Sequence, residues 1–243
     1  MEVAPGVHRI TRGVTNFYVI EDRGRLTLVD AGTPKDWDTL VSALGSLGRT
    51  IRDLDTVVLT HAHSDHVGFA ERARTTAPAI VRVHELDAAV ATGAEPAKNE
   101  SSAIRYLLRP AFYRTAASLL RRGAGKIVPV VEVSSFADGE RLDVPGAPRA
   151  IHAPGHTPGC CALFLEDRRA LLSGDVLATW NALTGRLGPQ IMPSGLNIDS
   201  DQALNSLSAL EGIEADVLLP GHGEPWTDGV PEALRRARAA GRS

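Results

Sequence analysis

Cysteine is scarce in this chain. Only Cys160 and Cys161 occur, and they are neighbours. Adjacent cysteines close no long loop, so a disulfide framework is excluded and packing is the role expected of both. Long apolar runs are missing as well. No stretch approaches the roughly 18 apolar residues of a membrane-spanning helix. The opening MEVAPGVHRITRG has no apolar core of the kind a leader carries. A soluble, cytoplasmic protein with no membrane partner is therefore expected. There is no basic excess: 26 Lys and Arg face 29 Asp and Glu, a net charge of −3. Nothing in that balance draws the chain to nucleic acid. Low-complexity tracts, short repeats and linker-like segments are also lacking.

What remains is an ordinary globular composition, 43% hydrophobic and 23% charged over 243 residues. That length suits one domain over 1–243 with a sizeable core. VHRIT, NFYVIE and RLTLVD read as strands separated by turns at Gly13 and Gly24. TPKDWDTLVSALGSLG reads as a helix, with Thr33 as N-cap, Pro34 at the first position and Gly48 as its stop. LDTVVLT and AIVRVHE are further strands, with helical VGFAERARTT between them. VVEVSSF, PRAIHAP, CCALFLE and RALLSGD continue the β pattern. DSDQALNSLSALEGI is a helix, DVLLP a strand, and VPEALRRARAA a closing helix. Alternation of strands and helices is an α/β signature. Two β-rich halves predict two sheets packed face to face with helices outside.

The texture changes between about 86 and 125. ESSAIRYLLRPAFYRTAASLLRRGAG predicts a helical insertion interrupted at Pro110. Ile104, Leu107, Leu108, Phe112, Ala116, Leu119 and Leu120 are its apolar positions, and arginines decorate the other faces. Docked on the core, it would place Tyr106 or Tyr113 facing a substrate, while Leu107, Leu108 and Phe112 with Trp180 and Leu183 of ATWNALTG would form an acyl pocket.

One run has no packing rationale. LTHAHSDHVG crowds His61, His63, Asp65 and His66 directly after a buried strand. Imidazole and carboxylate are ligands that a divalent metal prefers. His61 and His63 are two apart, so an extended backbone points both to one side. The other strand ends repeat the theme: His156 in APGHTPG, Asp175 in LLSGD and His222 in LLPGHGEP. Strand ends flanked by glycine are where α/β proteins build sites. Three His suit one tetrahedral metal with an open position. An Asp, two His and a shared carboxylate suit a second. Two metals about 3.5–4 Å apart can share a water whose pKa falls to roughly 7. His84 and His152 lie inside strands and read as core histidines or as supports behind a ligand.

The ordered set LVDAG, THAHSDHVG, PGHTPG, SGD and PGHG closely resembles the metallo-β-lactamase superfamily. The resemblance covers most of the chain. It implies an α/β fold: an αββα four-layer sandwich of two mixed sheets with outer helices and the site at one edge. It implies that His61, His63 and His156 hold one metal, that Asp65, His66 and His222 hold another, and that Asp175 bridges them. Asp30 would orient a ligand. Two zinc ions are the expected cofactors, with iron or manganese as alternatives.

Family membership does not fix a substrate. The branches look-alike to this chain are lactonases, short glyoxalase-II-like thioesterases and biosynthetic thioesterases. The resemblance thus implies a dinuclear hydrolase in which a bridging hydroxide attacks an ester, thioester or lactone carbonyl of a small molecule. Asp65 would orient the nucleophile and pass a proton to the leaving group. The alternatives are a mononuclear iron persulfide dioxygenase, a β-lactam-hydrolysing side activity and a catalytically silent binding protein. A monomer or homodimer is expected.

Overall fold

The computed structural model describes residues 1–77, 79–125 and 127–243. The first sheet holds β1 (Glu2–Ala4), β2 (Val7–Arg12), β3 (Thr15–Asp22), β4 (Arg25–Val29), β5 (Leu54–Val58), β6 (Ile80–His84) and β7 (Ser134–Phe136), side by side in chain order. Its first four strands are antiparallel; from β4 onward the pairs are parallel. The second sheet begins with β8 (Arg149–His152), β9 (Cys161–Leu165) and β10 (Ala170–Gly174) as antiparallel neighbours. A separate ribbon follows, β11 (Ala178–Trp180) with β12 (Leu187–Gln190), and then β13 (Val217–Pro220) joins β10 in parallel.

Strict alternation builds the layers. Along β3, β5, β10 and β13, the residues Tyr18, Ile20, Val58, Leu172 and Leu219 face the space between the sheets. Their neighbours Val19 and Val57 face the helices over the first sheet. Leu171 and Leu218 face those over the second. Strands buried on both faces need apolar residues at every position, hence the continuous runs read in the sequence. α1 (Trp37–Ser46), the short α2 (Ser64–Val67) and α3 (Ala70–Thr76) follow β4 and β5; α6 (Ser200–Ser206) and α7 (Val230–Ala240) cover the second sheet. Four layers result, in the order helix, sheet, sheet, helix. No helix among the described residues is long and apolar enough to cross a membrane.

The insertion differs from its sequence reading. Its early part holds only the single turn α4 (Ala88–Ala91) and brief 3-10 turns at Glu85–Asp87 and Ala103–Tyr106. Pro110 does not interrupt a helix. It opens one, α5 (Pro110–Arg121), at a position where a missing N–H costs nothing. Ile104, Leu107, Leu108 and Leu120 stay exposed rather than docked. The strand read in VVEVSSF shrinks to β7, because the Val130 N–H is taken by the Ala91 carbonyl at 3.0 Å. β1 and the β11–β12 ribbon were not read in the sequence. Cys160 and Cys161 are fully buried in the two layers of core, where burial pushes both thiols up and leaves them as small hydrophobes.

Candidate metal centre

The sheets end together at one edge, and there the chain brings its histidines together. Asp30 directly follows β4, and its backbone is left-handed (φ 61°). Asp adopts that conformation more readily than most residues with a side chain, and here long-range bonds hold it. Here the carboxylate accepts from Thr60 N–H at 2.8 Å and from Thr60 Oγ1 at 2.9 Å, and it meets His66 Nδ1 at 2.8 Å. β5 runs into Thr60 and His61, and the chain then turns at His63 into α2, which carries Asp65 and His66. His156 sits in the loop between β8 and β9, Asp175 just after β10, and His222 just after β13. Gly221 makes this convergence feasible: a Cβ there would lie 2.3 Å from Asp175 Oδ1 and 2.7 Å from His66 Cε1.

The seven side chains expected as metal ligands meet here. His61 Nε2, His63 Nδ1 and His156 Nε2 form one group, with His156 Nε2 2.8 Å from His63 Nδ1 and 3.2 Å from His61 Nε2. Asp65, His66 and His222 form another, with His222 Nε2 3.5 Å and His66 Nε2 4.0 Å from Asp65 Oδ2. Asp175 Oδ2 stands between the two, 3.3 Å from both His156 Nε2 and His222 Nε2 and 3.8 Å from His66 Nε2. Ligand atoms about 2.0–2.1 Å from a tetrahedral ion are separated by about 3.3 Å, and the separations here, 2.8 to 4.0 Å, lie on either side of that value.

The far side of each ring decides what the near side is for. His66 Nδ1 is held by Asp30, His222 Nδ1 by the Val14 carbonyl at 2.6 Å, and His156 Nδ1 by Asn197 Oδ1 at 3.0 Å. His61 Nδ1 lies 3.1 Å from Thr60 Oγ1. That outer bonding fixes ring orientation and presents Nε2 inward, as metal-binding histidines require. His66 Nε2 and Asp175 Oδ1 are buried with no hydrogen-bond partner. An orphaned imidazole nitrogen beside an orphaned carboxylate oxygen is costly unless a cation completes them. The donor set therefore fits a metal.

Charge divides the groups. Burial drives His61 well below the usual imidazole value and His156 to about 3, so these are neutral rings with free lone pairs. Burial acts the same way on His66 and His222. There the carboxylates overcome it: Asp30, Asp175 and Asp65 raise His66 to about 10, and Asp175 and Asp65 raise His222 to about 9. Burial also opposes charge on Asp65, yet His66 and His222 hold its carboxyl below the usual range.

Two organising residues escaped the sequence reading. Asp87 is fully buried and accepts from Ala62 N–H at 2.9 Å, Thr157 Oγ1 at 2.7 Å and Gly159 N–H at 2.7 Å. It ties the loop of His61 to the loop of His156. Its one sequence signal is an acid placed just beyond a strand, in VHELD. Asn197 carried no signal. His84, read as a core histidine, is buried and stacked on His152 at 4.2 Å.

A cavity of about 380 Å³ opens onto the centre. Asp65, Asp175 and His222 face it on one side, and Phe112, Leu119, Leu183 and Met192 on another. Of the four aromatic side chains expected at a pocket, only Phe112 lines this wall. The Tyr106 hydroxyl is engaged with the Ser243 carbonyl at 2.6 Å and Ser194 Oγ at 3.0 Å. Tyr113 points to solvent, and Trp180 lines a neighbouring cavity.

The sequence pattern of the metallo-beta-lactamase superfamily matches residues 10–222. The chain belongs to the metallo-β-lactamase superfamily. Within it, the chain is 30% identical to the probable metallo-hydrolase YflN of Bacillus subtilis (strain 168), over 93% of this chain and 87% of that one. It is 27% identical to the uncharacterized protein YobT of the same organism, over 91% and 88%. A metallo-beta-lactamase family protein of Thermus thermophilus superposes with a TM-score of 0.68 at 25% identity, covering 97% of this chain and 79% of that one. A Cronobacter sakazakii metallo-beta-lactamase shares the fold, with a TM-score of 0.69 at 19% identity over 99% and 91%. Superfamily membership and the relatives' names mark the chain as a metallo-hydrolase.

Proposed function

We propose that this protein is a dinuclear, zinc-dependent hydrolase of an ester, thioester or lactone carbonyl in a small molecule. One observation carries the reading: two groups of three ligand side chains flank Asp175, and the outward nitrogens of His61, His66, His156 and His222 each have a partner behind the ring. His61, His63 and His156 would hold one metal, Asp65, His66 and His222 the other. When bound, the metals supply Lewis acidity and lower the pKa of a water from ~15.7 to roughly 7.

The chain's own residues do the rest. Asp65 accepts from Thr15 Oγ1 at 3.1 Å, which fixes its carboxylate at the cavity wall. From there it orients the attacking water and passes a proton to the leaving group. Phe112, Ala116, Leu119, Leu183, Met192 and Leu196 form an apolar wall for the acyl part and exclude bulk water. Asp30 and Asn197 hold His66 and His156 in their ligating orientation.

The second group is as complete as the first, which weighs against a mononuclear iron oxygenase. Elemental analysis of the protein purified without chelator, followed by a panel of lactones, thioesters and esters, tests the reading. About two zinc per chain with turnover is expected. One iron per chain with oxygen uptake on a persulfide would overturn it.

A further inference from the structure

Helix α5 has two working faces. Phe112, Thr115, Ala116 and Leu119 look into the catalytic cavity. Arg114, Ser118, Arg121 and Arg122 look the other way, into a groove of about 390 Å³ closed opposite by Gly13 and Val14. We propose that this groove binds the phosphate of a nucleotide carried on the substrate's leaving group, so that the substrate is a nucleotide-bearing thioester. The inference rests on the carbonyl-hydrolase reading of the adjoining centre and names a substrate class for it.

The groove is cationic with little to answer it. Arg12 adds a fourth guanidinium close enough to act on Arg122. Asp36 pairs with Arg122, but Arg12, Arg114 and Arg121 form no ion pair among the described residues. Arg122 Nε is buried with no hydrogen-bond partner. Gly13 keeps the cradle open: its φ is 66°, and a Cβ there would lie 2.5 Å from Ser118 Oγ and 3.3 Å from Arg122 Nε. Clustered guanidiniums with an adjacent hydroxyl are the chemistry that recognises phosphate oxygens.

An aromatic cavity continues the groove. About 460 Å³ in volume, it shares Gly13, Val14 and Arg114 and adds Trp180 and Trp226. Arg114 lies 5.4 Å from the Trp180 ring, so the cation and the indole already stand together. Glu224 also lines it, but its charge is answered by Arg9 at 2.8 Å. Indoles next to guanidiniums match a planar base next to phosphate. The turn that floors both spaces reaches the catalytic centre. The Val14 carbonyl holds His222, and Thr15 Oγ1 holds Asp65. The groove and the catalytic cavity share no lining residue, so a leaving group anchored here spans this turn to reach the residues that act on its bond. In the reaction, the water oxygen bonds to the carbonyl carbon and the C–S bond breaks. One proton from that water goes to the departing thiolate, the other is released to solvent, and a carboxylate and a thiol remain, with no redox partner needed.

The test uses the full-length metal-loaded protein and its R114Q/R121Q variant. Tryptophan fluorescence is titrated with ADP and, in competition, with inorganic pyrophosphate. Hydrolysis is compared for a thioester with a nucleotide-bearing thiol and the same acyl group on a short uncharged thiol. We expect saturable quenching by ADP, competed by pyrophosphate and weakened at least about tenfold in the variant. We expect kcat/KM to fall by about as much on the nucleotide thioester and to hold on the short one. No saturable ADP binding, or equal binding by the variant, overturns the groove. Binding with both thioesters cleaved equally well makes the nucleotide a free effector and overturns the substrate class. Binding with neither thioester cleaved overturns the substrate class and leaves the groove's ligand standing, and the hydrolase reading itself falls only if the lactones and esters of the wider panel are also untouched.

Discussion

The sheet edge and the insertion treat their side chains in opposite ways. At the edge, His61, His66, His156, Asp175 and His222 are buried, and the imidazoles are fixed from behind. On the insertion, Leu108 is 95% exposed and Ile104 and Leu120 are 69% exposed, while only one face of α5 meets the cavity. Burial leaves a polar side chain few acceptable arrangements, because each unpaired atom is costly. An exposed side chain has many. The edge is therefore suited to fixed chemistry, and the insertion to variable recognition.

The sharpest way to break that contrast is to remove a ligand. His61→Ala should lose bound metal by elemental analysis and lower kcat/KM by on the order of 10²-fold or more. Unchanged turnover in that variant would mean that the edge is not the catalytic site. Asn197→Ala tests the layer behind the ligands. Freed from its Nδ1 partner, His156 should bind metal about 10–100-fold more weakly in a competitive chelator titration. On the insertion side, Phe112→Ala should leave metal content intact and cost about tenfold in kcat/KM, and only for substrates whose acyl group reaches that wall.

The smallest effect expected is electrostatic. Hydrogen bonds from Arg74 hold the Glu71 carboxyl below its usual 4.5, and its other partner is the Val131 N–H on the return from the insertion. A folded value below the unfolded one adds stability that is fully present above about 4.5 and lost as pH falls through the folded value. Because the pair is partly solvated, Glu71→Gln should cost no more than about 1 kcal/mol at pH 7. Urea melts of both proteins near pH 3 should show the gap closed.

The same contrast governs what could be read without coordinates. The sandwich was legible because runs such as VVL and ALL, buried on both faces, admit few alternatives. The clustering of His61, His63, Asp65, His66, His156, Asp175 and His222 was legible because histidine and aspartate just past buried strands have few other uses. Asp87 and Asn197 were not, since their roles depend on partners 25 to 72 and 41 residues away in sequence. The insertion misled for a related reason. Its apolar spacing predicted docking of Leu107 and Leu108, but spacing cannot say whether a core lies opposite. Pro110 likewise marks a helix boundary in either direction, and only the backbone tells whether it ends a helix or begins one.

The ligand set draws on both sheets, and hence on both halves of the chain. Ions seated among His61, His66, His156 and His222 would act as rivets across a seam that otherwise relies on the side chains between the sheets. Joining segments so distant in sequence restricts the unfolded chain far more than the folded one. Metal supply would then bear on the stability of this protein as well as on its chemistry, because an ion that binds only the folded chain adds to its stability by mass action.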